Sequence, residues 1–150
     1  MRDVPGASLV LVIVVAACGY RAGSFALGRS DVAGARATYG CVDVDVSRRA
    51  DHPGGPVLAY EFGNGCDHAV SVDLAAIPVV ARDGDLQPYD PDRELRALPL
   101  DGRSTGGEAI EYRSAVARRD DVICARPGAA FGYDDRGWVC LSRSAEVVGP

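Results

Sequence analysis

The chain has 150 residues and a formal net charge of −5 at pH 7. This length leaves room for one domain and not for two. The acidic balance argues against a nucleic acid partner, because an acidic surface and the phosphates of nucleic acid repel each other.

The N-terminus begins with a short polar stretch and continues into an apolar run of 11 residues, from Ala7 to Ala17. As a helix, this run would span only about half of the ~30 Å hydrocarbon core of a bilayer. It is therefore typical of the hydrophobic region of a signal peptide and too short for a permanent membrane helix. We expect residues 1–17 to form a helical signal peptide that is removed.

Small residues precede a cysteine at the end of this apolar run. The segment Val15-Ala16-Ala17-Cys18 resembles the lipobox of bacterial lipoprotein precursors. The resemblance covers residues 1–19, and it implies cleavage before Cys18, a diacylglycerol thioether on the Cys18 Sγ and acylation of the new amino group. The alternatives are an ordinary signal peptide cut at Ala-x-Ala-like residues, or a buried strand with a free thiol.

A lipid on Cys18 would tether the protein to a membrane without crossing it, since two or three acyl chains give durable attachment. Residues 18–24 are small or flexible enough for a short tether. Residues 25–146 would then form the domain and residues 147–150 a tail. We expect a lipid-anchored protein of the cell envelope that faces the periplasm or the exterior. The outer membrane is preferred, because Gly19 is not the acidic residue that retains some lipoproteins at the inner membrane.

The remaining cysteines are even in number, because setting Cys18 aside from the five leaves four. In an exported chain this count predicts two disulfides. No C-x-x-C motif occurs, and with two histidines in the whole chain a zinc site of the usual spacing is not supported.

Period-two alternation of apolar and polar residues recurs along the mature chain and is interrupted by Gly, Pro, Asn and Asp, which is typical of strands and turns. Val42, Val44 and Val46 would face the core, with Asp43 and Asp45 on the opposite face. Gly63-Asn64-Gly65 is interpreted as a break between two strands. Strands are predicted at 41–46, 56–62, 69–74, 77–82, 95–100, 108–113, 122–125 and 138–141.

These seven or eight short strands, with no convincing helical period, favour an all-β fold. An antiparallel β-sandwich of Ig-like or fibronectin-like general architecture is the first choice and a small barrel the second. The pattern resembles the β-sandwich modules of many uncharacterised exported bacterial proteins, a resemblance that implies no activity.

The turns suggest how the cysteines pair. A hairpin turn at about Pro53-Gly54 places Cys41 opposite Cys66, and a turn near Gly132 places Cys124 opposite Cys140. We therefore predict sequential pairing, Cys41–Cys66 and Cys124–Cys140. A sandwich can equally link its two sheets through the first and last strands, which leaves another pairing open.

Three groups of residues have the chemistry for a site. The acidic loop with Asp83, Asp85, Asp90 and Asp92 offers oxygen ligands for Ca²⁺, although it lacks EF-hand spacing and Asp is also favoured in turns. His52 and His68 are more simply interpreted as solvated polar residues than as a pair. Among the aromatic residues, those placed in the core are Tyr60, Phe62 and Tyr112. Those placed in or next to a Gly-rich connection are Phe131, Tyr133 and Trp138, which could contact a glycan or a protein but are more simply interpreted as packing over the end of the sandwich.

Nucleophilic catalysis finds no support, because no Gly-x-Ser-x-Gly motif occurs and neither histidine has an evident serine partner. We expect a protein that is not an enzyme and needs no cofactor. The first hypothesis is a non-enzymatic interaction or structural module of the envelope with an envelope protein or glycan partner. The second is a domain that binds a small ligand or calcium at the acidic loop.

Overall fold

Short antiparallel strands build the whole fold in the residues that the computed structural model describes, which are 19–20, 35–88, 97–114, 117, 122–133 and 137–142. The strands are β1 (Ala35–Tyr39), β2 (Val42–Arg48), β3 (Val57–Asn64), β4 (Val70–Val72), β5 (Val79–Ala81), β6 (Gly84–Asp85), β7 (Leu98–Leu100), β8 (Thr105–Glu111), β9 (Val122–Ala125) and β10 (Val139–Ser142). The 3₁₀ turns Leu74–Ala76 and Pro127–Phe131 lie between strands. The predicted all-β antiparallel class is confirmed.

The described strands number more than the seven or eight predicted, because β1 and β6 were not predicted. In β1, Arg36 and Thr38 alternate with alanines, so that no large aliphatic residue marks a core face. The two residues of β6 belong to the stretch predicted to be a polar loop, and they pair with the end of β5 across a tight turn. Both elements therefore lack the apolar alternation on which strand prediction depends.

The strands form three sheets. The first sheet has the order β1-β2-β3-β8, the second has the order β10-β9-β5-β6, and β4 pairs with β7 in a third, two-stranded sheet. The longest pairings of the first sheet run from Val42 opposite Asn64 to Arg48 opposite Leu58, and from Val57 opposite Glu111 to Gly63 opposite Thr105.

One hydrophobic core joins the three sheets. The predicted inward faces of β2 and β3 lie in it, with Val44, Tyr60 and Phe62 almost fully buried. The second sheet contributes Ile123 and Leu141. Burial of each such side chain contributes about 1.5–3 kcal/mol, so these alternating residues hold the sheets together.

The opposite face of the first sheet, where β2 carries its aspartates, is buried as well. The alternation of apolar and polar residues did not predict this burial. Asp43 and Asp45 are only 3% and 5% exposed. Asp43 accepts a hydrogen bond from Thr38 Oγ1 at 2.7 Å, and Asp45 lies 3.6 Å from Arg36 Nε. Buried carboxylates require such partners, which here come from the unpredicted strand β1.

Two tyrosines form a polar contact inside the core. The hydroxyl oxygens of Tyr60 and Tyr112 are 2.7 Å apart, so each hydroxyl has a partner although both side chains are fully buried. Burial raises the pKa of Tyr60 well above its ordinary value and that of Tyr112 to about 12. The pair therefore stays neutral throughout the physiological pH range.

Both disulfides close a local β-hairpin. β2 and β3 turn at Pro53-Gly54, between the paired residues His52 and Gly55. At the open end of this hairpin, Cys41 bonds to Cys66. In the second sheet, Cys124 of β9 lies directly opposite Cys140 of β10 and bonds to it. The prediction of two disulfides is confirmed, and the pairs are the sequential ones.

Asn64 ends β3 and organises the corner beside the first disulfide. Its side chain is 0% exposed, and its Nδ2 donates to the carbonyl oxygens of His68 at 2.9 Å, Leu100 at 3.1 Å and Asp101 at 3.0 Å. Its Oδ1 accepts from the backbone N–H of Cys66 at 2.9 Å. The break therefore begins at Gly65 and not at Gly63, because Gly63 and Asn64 belong to β3. The Asn64 amide joins three chain segments.

Candidate functional site

Gly19 and Tyr20 are docked against the open end of the β2–β3 hairpin. The Tyr20 backbone N–H donates to the carbonyl oxygen of Arg103 at 2.8 Å. A β-carbon built on Gly19 would lie 3.0 Å from the Arg103 Cβ. Both residues lie in the segment predicted to be a flexible tether. Both nevertheless contact Arg103, in the turn that precedes β8.

The Tyr20 side chain continues this contact onto the outer face of the first sheet. Its ring lies over Gly63, where an added β-carbon would overlap the ring atoms. Its hydroxyl donates to Asp43 Oδ2, while Thr38 donates to Oδ1 of the same carboxylate. One backbone hydrogen bond, one side-chain hydrogen bond and one ring contact therefore hold Tyr20 in place.

The turn beneath Gly19 is held tightly. Ser104 N–H and Ser104 Oγ both donate to the carbonyl oxygen of Asp101, at 3.2 and 2.7 Å. Arg103 has a positive φ of 62°, and its N–H donates to the carbonyl oxygen of Cys66 at 3.1 Å. We call residues 101–104 the Arg103 turn. Its backbone connects directly to the Asn64 corner, because Asn64 N–H donates to the carbonyl oxygen of Ser104.

The second sheet presents an apolar outward face, which we call the Trp138 face and define by Val122, Cys124, Arg126, Trp138 and Cys140. Ile123 of β9 and Leu141 of β10 are buried, so alternation turns Val122, Cys124 and Cys140 outward. Arg126 directly follows β9, and Trp138 directly precedes β10. Val122 is 47% and Trp138 45% exposed, and the Arg126 guanidinium carbon lies 5.4 Å from the Trp138 ring centroid. The disulfide Cys124–Cys140 lies on this face.

The aromatic residues predicted at the Gly-rich connection separate into two groups. Phe131 and Tyr133 are partly buried beside Tyr39: the Phe131 ring stacks on it at a centroid distance of 5.9 Å, and the Tyr133 ring is tilted against it at 5.8 Å. Phe131 also meets Phe62 edge to face at 6.0 Å. These two rings therefore pack on the core, and Trp138 is the one of the three that stays exposed.

The acidic loop is described only in part. Asp83 lies in the turn between β5 and β6, Asp85 lies in β6, and both are exposed. Asp90 and Asp92 lie outside the described residues. Within the described part of the chain, no three His, Cys, Asp or Glu side chains are close enough to hold a metal ion together.

The two histidines lie at opposite ends of the β2–β3 hairpin and each pairs with an acid. His52 Nδ1 is 2.8 Å from Glu111 Oε2, and His68 Nδ1 is 3.0 Å from Asp67 Oδ1. The hydrogen bond to His68 holds the pKa of Asp67 below its ordinary value. The pairs are exposed, and the histidines do not form a joint site.

Sequence reasoning missed Tyr20 and Asn64. Tyr20 follows an apolar leader and was assigned to a tether, and Asn64 lies between two glycines in a stretch typical of a turn. Neither residue belongs to an alternating strand pattern. The one available signal for Tyr20 is an aromatic side chain in an otherwise small or flexible segment.

The leader and the predicted lipidation residue Cys18 lie outside the described residues. In the part of the chain that is described, no helix has both the length and the hydropathy that a membrane crossing requires. The two disulfides indicate that the domain matures in an oxidising compartment, which is compatible with a location in the envelope.

Comparison with known proteins gives no family for this chain. No protein-family model matches the sequence, and no curated protein matches it at a significant level. Among solved structures, the chain is similar to the crystal structure of the yjhA protein from Bacillus subtilis, with 10% sequence identity and a TM-score of 0.46 over 77% of this chain and 87% of that chain. A likeness of this degree carries no argument about fold or function.

Proposed function

We propose that this protein is a lipid-anchored component of the bacterial cell envelope, attached through Cys18, whose domain acts as a non-enzymatic interaction or structural module. The observation that carries the proposal is the use of the cysteines. The two disulfides take four of the five, so that Cys18, which ends the lipobox-like segment, has no partner among the others. A thioether to lipid gives this sulfur a chemical role.

The architecture that we propose for the module is a β-sandwich of Ig-like or fibronectin-like general type. Two four-stranded antiparallel sheets that share one core support this proposal. Such a module presents sheet faces and loops to a partner and needs no deep pocket.

Replacing Cys18 with Ser tests the anchor. We expect complete loss of labelling by radioactive fatty acid, and a precursor that keeps residues 1–17, because a hydroxyl does not form the thioether that precedes cleavage. Metabolic labelling and mass spectrometry of the N-terminus measure both effects. The matched control is Cys124→Ser with Cys140→Ser, which removes two other cysteines and should leave labelling intact. Fatty acid labelling of the Cys18→Ser variant, or its cleavage before position 18, would contradict the proposal.

The Trp138 face is the surface that we propose for the partner, and we favour an envelope protein over a glycan. Trp and Arg are both enriched in protein interfaces and among the residues that dominate binding energy. Here Arg126 lies against the Trp138 ring, and the exposed Val122 extends the apolar surface. This arrangement offers a rigid aromatic group next to a cation.

Trp138→Ala should weaken partner binding by about 2 kcal/mol, or about 30-fold in Kd, which is typical of removing a central interface Trp. Formaldehyde cross-linking in intact cells should give an adduct with the wild-type protein and little or none with the variant. Arg49→Ala is the control, since Arg49 is exposed, directly follows β2 of the first sheet and pairs with Glu61 of β3. Equal adduct yields from wild type and Trp138→Ala would reject the Trp138 face as the interface.

A further inference from the structure

The predicted lipidation site and the docked residues are immediate neighbours in sequence. Cys18 is bonded to Gly19, and one trans peptide unit separates consecutive α-carbons by about 3.8 Å. Gly19 itself lies against Arg103, and Tyr20 is held by Arg103, Asp43 and Gly63. The chain between the lipid and the first fixed contact therefore has almost no free length.

We propose that Tyr20 fixes the lipid anchor beside the Arg103 turn, so that this end of the domain rests on the headgroups of the bilayer. The proposal depends on the lipid anchor proposed above and adds the orientation of the domain. A free tether of residues 18–24 could extend to about 20 Å and would let every side of the domain approach the membrane. A docked Tyr20 holds the anchor at one end of the domain and therefore favours the orientation in which that end faces the membrane.

The chemistry of the Arg103 turn suits contact with headgroups. Exposed side chains here are polar and of mixed charge: Asp67, His68, Asp101 and Arg103. Arg103 offers a guanidinium for lipid phosphate. The large exposed apolar side chains of the described residues, Val122 and Trp138, lie instead on the second sheet. This end therefore fits the polar interface of a bilayer and not its hydrocarbon core.

The orientation also keeps the opposite end of the domain away from the membrane. Along β3, about ten residues separate the Asn64 corner from the Pro53-Gly54 turn, which corresponds to about 30 Å at 3.3 Å per residue. Ala50 is exposed near that turn, whereas Asp67 is exposed beside the Arg103 turn. These two positions are suitable probes of depth.

Fluorescence quenching by brominated lipid measures the depth directly. Trp138 is the one tryptophan of the chain, so Trp138→Phe provides a dark background in the acylated full-length protein. A single tryptophan is then introduced by Asp67→Trp or, as the matched control, by Ala50→Trp. Each protein is reconstituted into phosphatidylcholine vesicles with and without brominated acyl chains. We expect about twofold quenching for Asp67→Trp and almost none for Ala50→Trp, because the interfacial layer is less than about 10 Å thick.

Two further variants test the role of Tyr20 without touching the lipobox. Tyr20→Ala removes the ring and the hydroxyl, and Gly63→Ala places a methyl group where the ring lies. Each variant should reduce the quenching of Asp67→Trp and increase that of Ala50→Trp, so that the two probes become nearly equal, because a released tether lets every side of the domain approach the membrane. The acylated mass of the protein should stay unchanged in both. A difference between the two probes that persists in both variants would show that Tyr20 does not set the orientation.

The remaining outcomes separate the orientation from the anchor. If mass spectrometry finds acylated, membrane-bound protein and the two probes are quenched equally, the orientation is wrong and the anchor stands. If the wild-type protein carries no acyl chains, the anchor is wrong and the orientation falls with it.

Discussion

Asn64→Asp should destabilise the domain by about 4 kcal/mol at pH 8, or about 1,000-fold in the ratio of folded to unfolded protein. The substitution removes the N–H donors that serve three backbone carbonyls, and it places a carboxylate against those carbonyl oxygens in a fully buried site. The Cys66 N–H that donates to Oδ1 remains, but one such donor does not compensate a buried charge, which is among the most destabilising changes. Urea unfolding followed by circular dichroism measures the loss.

The loss of stability in the Asn64→Asp variant should also depend on pH. Burial and the surrounding carbonyls raise the folded-state pKa of the carboxyl introduced at position 64 above its unfolded value of about 3.9. The folded state then binds a proton that the unfolded state releases, so stability increases as the pH falls from 8 to 5. The matched control is Gln87→Glu, the same charge change at an exposed residue, for which we expect a change within about 0.5 kcal/mol. An Asn64→Asp protein within 1 kcal/mol of wild type, about the gain from one hydrogen bond, would contradict the role of Asn64.

Removal of the first disulfide should cost more than removal of the second. Sequence separations of 25 and 16 predict chain-entropy contributions of about 3.5 and about 3 kcal/mol, which are nearly equal. The larger expected loss of stability for the first disulfide comes from its burial. Cys66 lies in the core and its backbone pairs with Asn64 and Arg103, whereas Cys140 is exposed on the Trp138 face. We expect a loss of about 5 kcal/mol for Cys41→Ala with Cys66→Ala.

For Cys124→Ala with Cys140→Ala the expected loss is about 3 kcal/mol, and urea unfolding of both double variants measures the difference. Exposure also predicts the order of reduction, because exposed disulfides are the more labile ones. Brief treatment with dithiothreitol followed by alkylation and mass spectrometry should label Cys124 and Cys140 first. Equal losses in stability, or earlier labelling of Cys41 and Cys66, would refute the difference that we assign to burial.

Alternation of apolar and polar residues was sufficient to predict the strands whose apolar side chains are buried. β2, β3 and β9 are found close to their predicted positions, because an apolar residue at every second position gives each strand one side that favours the core. The turn residues also predicted the centres of the two hairpins, and these centres predicted which cysteines pair. Local chemistry was enough wherever a strand and its partner are adjacent in sequence.

Contacts between distant segments were not predictable in this way. Alternation assigns Asp43 to the face opposite the valines, but it does not reveal that Tyr20 and Thr38 cover that face. Asn64 is buried because the chain at His68, Leu100 and Asp101 surrounds it, and those residues follow it by as many as 37 positions. The choice of Trp138 over Phe131 and Tyr133 as the exposed ring likewise depends on tertiary packing.

On the proposed export to the envelope, the sequential order of the disulfides affects how the protein matures. Cys41 and Cys66 would then leave the translocation channel before Cys124 and Cys140, so that an oxidase joining cysteines in order of emergence would produce the native pairs. No bridge spans another, and therefore no reshuffling step is required. On the proposed anchor, lipid attachment at Cys18 also removes the one thiol that precedes Cys41 and could compete for it. Acylation would then protect the accuracy of oxidation as well as attach the protein.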